Sequence, residues 1–248
     1  ILLEVLMVIL AVIFISPAWI VLTNSFKPLG EILTNTFGLP KSPSLENFRY
    51  VLENMNYIKV FFNTVCICVF AIAFTVILSA MCAYRLSRWN NKASNAILLL
   101  LMASMTVPFQ SIMLPFAKIC KSMNLTDSIP GLILVLIPLY CPMAVFIFQG
   151  AIKSIPKEIE EAAQMDGCSK LGTFFKIIFP LLKPIQASLI ILVGVQTFND
   201  FTNPLYFLPG SENTTVQLTL YNYKGQLANS YNLLFADIIV ITVPMLIL

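Results

Sequence analysis

Histidine is absent from all 248 residues, and charged residues are scarce at 11%. The first absence excludes His-based acid–base catalysis, His metal sites and Ser-His-Asp triads. The second excludes an ordinary soluble surface, since soluble domains carry about 25% charged residues. A net charge of +3 is too small and too scattered for a nucleic-acid partner. No basic start followed by a small-residue cleavage site marks a secretory signal. What fills the chain is apolar: hydrophobic residues reach 58%, against roughly 45–50% in a soluble domain. So much apolar surface under so few charges reads as an integral membrane protein. The chain opens at Ile1 and closes at Leu248 in apolar sequence, so we expect further residues at both ends. Of six cysteines, Cys66, Cys68, Cys82 and Cys141 lie in apolar stretches and read as small hydrophobes rather than disulfide or metal ligands.

A bilayer core about 30 Å thick needs about 20 helical residues per crossing. Six apolar runs approach that length, at 2–26, 60–84, 93–117, 129–150, 184–207 and 233–248. Helix is required because a lipid-exposed segment must satisfy its own backbone hydrogen bonds, and no alternating segments suggest a barrel. The predicted fold is therefore an all-α membrane protein of six transmembrane helices with a short helix in one loop. Lys and Arg are about twice as dense in the loops after the second and fourth runs as in the others. By the positive-inside rule those loops are cytoplasmic, which puts both termini there too.

Outside the runs, Leu45, Phe48, Val51, Leu52 and Met55 recur at helical spacing behind Ser44, a suitable N-cap. A short amphipathic helix on the outer membrane surface is expected, packed so as to orient the second run. The stretch from Leu208 to Asn232 holds Tyr221, Tyr223 and Tyr231 with Asn and Gly, a composition suited to contacting a protein or a sugar. Prolines punctuate most runs, among them Pro108, Pro138 and Pro142, and each tends to kink its helix.

Two apparent motifs carry nothing. Gly167–Gly172 has phosphate-loop glycine spacing, but Thr173 and Phe174 stand where Lys and Ser/Thr are required. The sequons at Asn124 and Asn213 are three-residue patterns that arise easily by chance. The informative stretch is 154–167, in the predicted inside loop. Pro156 suits a first helical turn, Glu158, Glu160 and Glu161 suit the N-terminal dipole, and Gly167 suits a C-terminal stop. A polar helix of about 11 residues is too short to span and needs something to pack against. Ala162 and Ala163 give it a low-profile face, and Glu161 a charge for an external Arg or Lys. The residues alone fit a protein-docking helix and a bundle-capping helix equally.

The order Glu161-Ala162-Ala163, Gly167, Ile177, Phe179, Pro180 resembles the EAA signature of the membrane subunits of ATP-binding-cassette importers, with Phe179 where that family usually has Leu. Thr23-Asn-Ser-Phe-Lys27, Phe61-Phe-Asn-Thr64, Phe198-Asn-Asp-Phe201 with Pro204-Leu205, and Gly225-Gln226 resemble the carbohydrate branch, in particular the six-helix subunit of maltose-type permeases. The resemblance implies a type I importer fold, with residues 1–59 as leading helix and outer loop and 60–248 as the transport module carrying the EAA loop at about 151–183. It implies a bacterial plasma-membrane subunit of a sugar importer, with oligosaccharide as the favoured cargo. Its partners would be a second permease subunit, a cytoplasmic ATPase dimer and an extracellular solute-binding protein. The chain would be no enzyme and carry no cofactor, ATP and Mg residing on the ATPase. Glu161, Ala162, Ala163, Asp166 and Gly167 would couple to that ATPase. Asn63, Gln110, Gln196, Asn199 and Asp200 are pathway candidates, and Tyr221, Tyr223 and Tyr231 binding-protein contacts. An ion-coupled secondary transporter, a membrane-embedded enzyme or an importer of a phosphorylated polyol remain as alternatives.

Overall fold

The computed structural model describes residues 2–89, 91–210, 213–223 and 230–247, and all regular structure among these residues is helical. The chain forms two compact units, residues 1–62 with 214–248, and residues 63–213.

In the first unit, α1 (Leu2–Asn24) is apolar on every side and exposed from residue 2 to residue 15. That suits a helix whose surface meets lipid or another helix. Polar groups tie down its end. Lys27 is fully buried, and its Nζ donates to Asn24 Oδ1 at 2.9 Å, Asn35 O at 2.6 Å and Gly38 O at 2.7 Å. An ammonium has three N–H donors, and all three are used. Lys27 thereby shapes the loop that holds α2 (Leu29–Thr34). The expected amphipathic helix is α3 (Glu46–Met55), which buries Val51 and Met55 and sets Phe48 against Phe26 at 5.1 Å. Ser44 Oγ accepts from the Glu46 N–H at 3.1 Å, although the cap position falls on Leu45. Leu45 and Leu52 remain exposed, so the buried face is narrower than the spacing predicts. The face packs on α14 (Tyr231–Ile247). There Asn47 donates to Ser25 O and Lys27 O, each at 2.9 Å, and accepts from Asn232 Nδ2 at 2.8 Å.

In the second unit, the body of α4 (Tyr57–Arg88) runs beside α7 (Ile129–Lys153). Ala80 and Ala83 of α4 share one core with Ala144, Val145, Phe148 and Ile152 of α7, while Ala71 packs in another with Leu132 and Leu136. Small residues at such contacts let helix backbones approach closely. Between α6 (Phe109–Ser122) and α7, Asp127 forms a latch to the segment after α12 (Thr202–Phe207). Its N–H donates to Phe207 O at 2.6 Å, its Oδ1 accepts from the Gly210 N–H at 2.9 Å, and its carbonyl accepts from Asn213 Nδ2 at 3.0 Å. A Cβ at position 210 would meet the Asp127 carboxylate, so a larger residue there would have to displace the side chain that makes the latch.

Among the described residues, three helices, α1, α4 and α7, are long and apolar enough to cross a membrane. Two predicted runs that read as single helices are instead broken. The run 93–117 becomes α5 (Lys92–Ser104) and α6, bent by 104° where Pro108 ends the α5 ladder. The run 184–207 ends as a helix at Phe198, the close of α11 (Lys183–Phe198), and resumes only as the short α12. Counting each bent pair as one span gives up to five, and α14 is an apolar helix below span length.

Candidate functional site

The loop after α7 carries the helix read from the sequence. α8 (Lys157–Met165) starts behind Pro156, whose missing N–H is one that a helix start leaves unpaired anyway. It ends at Asp166, and Gly167 follows with φ of 85°. The Gly167 N–H donates to Gln164 O and the Cys168 N–H to Ala163 O, each at 3.0 Å. This is the double closure that favours glycine after a helix. A Cβ at Gly167 would meet open space, so the constraint there is the backbone angle alone.

One face of α8 is held by the chain itself. Glu160 is 7% exposed; its Oε1 accepts from Arg88 Nε at 2.6 Å and its Oε2 from Tyr84 Oη at 2.8 Å. Arg88 Nη2 also donates to Ile155 O at 2.9 Å, which joins the end of α4 to the start of the loop. Ala163 is buried on the same face, correcting the expectation that Ala162 and Ala163 together form an open surface. Glu161, Ala162 and Met165 are exposed, Met165 at 89%. Sequence reading missed Glu160 and Arg88, treating the first as a dipole charge and the second as a topology marker. The available signal was the i,i+3 spacing of Glu160 and Ala163, which places them on one face.

Beyond α8 the chain climbs through α9 (Lys170–Thr173), a π-helical stretch (Phe174–Ile178) and α10 (Phe179–Leu181) before bending 75° into α11. Pro180 explains the wide turn: its ring clashes with the carbonyl four residues back and it has no N–H to donate. Pro184 has no N–H to offer the Pro180 carbonyl, and Gln186 Nε2 donates at 2.6 Å to the Phe179 carbonyl, which also accepts from the Leu182 N–H at 3.2 Å. Phe174 and Ile178 are buried against α4 and α7, so this stretch links the loop to the helix core.

The pathway candidates scatter. Asn63 is buried, Gln110 is exposed on α6, and Asn199 is exposed with its Nδ2 donating to Val195 O at 2.9 Å. Asp200 caps α12, its Oδ1 accepting from the Asn203 N–H at 3.0 Å and its Oδ2 from Asn203 Nδ2 at 2.6 Å. Gln196 alone of the five lines a cavity of about 620 Å³, together with Tyr140, Asn203, Phe109 and Phe116. That size lies within the range of small-molecule sites. Tyr140 and Asn203 were missed because nothing in one sequence shows that α7 and α12 meet around the bend between α5 and α6.

In the other unit, Tyr221 and Tyr231 are exposed, while Tyr223 is half-buried. Burial pushes the Tyr223 phenol up to about 12, with the Asp237 carboxylate and Tyr50 adding to it. Gly225 and Gln226 lie outside the described residues.

Residues 75–248 match the family described as binding-protein-dependent transport system inner membrane component. Among curated proteins, the chain is 36% identical over 241 residues to AmyC of Thermoanaerobacterium thermosulfurigenes, described as a probable permease protein for starch degradation products. That match covers 97% of this chain and 87% of the relative. It is 32% identical to AraQ of Bacillus subtilis (strain 168), an arabinooligosaccharides transport system permease protein, with 96% and 86% covered. Among solved structures, a bacterial ABC transporter involved in the import of the acidic polysaccharide alginate matches with a TM-score of 0.84. Identity there is 22%, with 99% of this chain and 92% of that chain covered, so the likeness is one of fold.

Proposed function

Because the chain belongs to the binding-protein-dependent transport system inner membrane components, we propose that it forms half of the translocation pathway of an ATP-driven sugar importer, with oligosaccharides as cargo. The covalent chemistry belongs to other chains: a cytoplasmic ATPase dimer that holds ATP and Mg, while a second permease subunit completes the pathway and an extracellular binding protein delivers the sugar. Both termini and the α8 loop face the cytoplasm in this reading. The supporting observation is the division of α8 into two faces. Glu160 and Ala163 bind it to its own bundle, whereas Glu161, Ala162 and Met165 stay open to a partner. A helix fixed on one side and free on the other carries a partner's motion into the helices it is fixed to. The path runs from α8 through the Arg88–Glu160 pair into α4, and through the Phe174–Leu182 segment into α11.

The sugar assignment rests on relatives, and the 620 Å³ cavity offers amide, phenol and aromatic surfaces of the kind sugars bind. The exposed Tyr221 and Tyr231 suit contact with the docked binding protein. The test is ATP-dependent uptake of labelled oligosaccharides by vesicles holding the complete complex. Uptake requiring both ATP and the loaded binding protein is expected. Uptake driven by an ion gradient alone, or of a phosphorylated polyol in place of sugars, would overturn the reading. Tyr221→Ala is expected to lower uptake while leaving assembly with the ATPase unchanged.

A further inference from the structure

A second cavity, of about 460 Å³, lies between the end of α4 and the α8–α9 loop. Its wall includes Tyr84, Arg85, Arg88, Glu160, Gln164 and Lys170. Three of these are cations and one is a carboxylate. The carboxylate is already engaged by Arg88 and Tyr84, so the remaining surplus is positive and rests on Arg85 and Lys170, both exposed. The Arg85 guanidinium carbon lies 3.6 Å from the centroid of the Trp89 ring, a cation–π contact that helps hold the guanidinium in place. The chain therefore presents a preorganised cationic pocket that the coupling role of α8 does not use.

Its position says what kind of anion it meets. α4 has 32 residues and is roughly 48 Å long, well beyond a hydrocarbon core of about 30 Å, so part of it must reach past the core, and Arg85 and Arg88 in its last turn suit that end to headgroup level. Trp89 is 55% exposed there, as aromatic side chains commonly are at the membrane–water boundary. The adjoining helical segment 170–181 exposes Leu171, Phe175 and Leu181, an apolar flank fit for acyl chains. We propose that this cavity binds a phosphate anion carried by an anionic phospholipid headgroup, with Arg85 and Lys170 as the binding cations. A lipid seated there touches the same loop that Glu160 anchors, so membrane composition would bear on how firmly α8 is held.

The test is the amount of phosphatidylglycerol retained by the assembled complex. The full-length chain is reconstituted with its partners in phosphatidylcholine vesicles with or without phosphatidylglycerol, then re-extracted. Parent protein is expected to retain phosphatidylglycerol, and Arg85→Gln and Lys170→Gln each about fivefold less. Both residues are exposed; Arg85→Gln gives up the stack on Trp89 whereas Lys170→Gln leaves it in place, and Arg88 is left intact to keep the anchor. Equal retention by parent and both variants would overturn the site. No retention by the parent would mean that a partner subunit covers the cavity, which also overturns it. Displacement of the lipid by millimolar inorganic phosphate would identify a soluble anion as the ligand and overturn the lipid assignment. None of these readouts depends on transport, so they stand apart from the sugar-import reading.

Discussion

Glu160 and Glu161 are adjacent in the chain and lie on different sides of α8. The first is buried against Arg88 and Tyr84, the second is exposed. Removing one member of a buried pair strands the other, which costs about 3–5 kcal/mol. Arg88→Met is therefore expected to destabilise the protein by that order, seen as a lowered melting temperature in detergent. Glu161→Ala is expected to leave melting unchanged and to weaken attachment of the ATPase. Equal melting losses in both variants would contradict the two-face account. Lys27 makes a similar case in the other unit, since Lys27→Met strands Asn24 Oδ1 and the carbonyls of Asn35 and Gly38. Each lost buried bond costs roughly 1–3 kcal/mol. Loop 28–38 should then be cut faster by protease, while a parent-like digestion rate would show that the lysine holds nothing.

The helices themselves were readable from composition, and their joints were not. Run lengths place α1, α4 and α7 closely, because each is a continuous apolar stretch of span length. Pro108 marks where the third run breaks, yet Pro138 and Pro142 sit inside an unbroken α7. A proline limits the local ladder, but neighbouring helices decide whether the chain bends there. The stop at Gly167 was legible because a helix end needs a left-handed residue and glycine supplies it. Gly167→Val puts a β-branched residue at φ of 85° and is expected to loosen the end of α8. Transport per ATP hydrolysed should fall several-fold with assembly preserved, whereas Gly167→Asn, which tolerates this angle, should retain most of it. Pro180→Ala restores an N–H and is expected to tighten the π turn. Hydrogen exchange across 174–182 would then slow, and an unchanged rate would mean that the proline is not its cause.

For the whole molecule, membrane residence and importer family were legible because composition and the EAA spacing are local properties of the chain. The Arg88–Glu160 anchor, 72 residues apart, and the gathering of Gln196, Tyr140 and Asn203 around one cavity were not. Both depend on which helices meet, and a single sequence carries no record of that. The central claim is that this chain is a passage whose energy comes from a separate ATPase acting on the open face of α8. It is tested most directly by ATP hydrolysis in vesicles holding the complete complex, with and without sugar-loaded binding protein, for the parent and Glu161→Ala. The account predicts hydrolysis that rises with loaded binding protein in the parent and loses that rise in the variant. The same stimulation in both, or transport by this chain with no ATPase present, would contradict it.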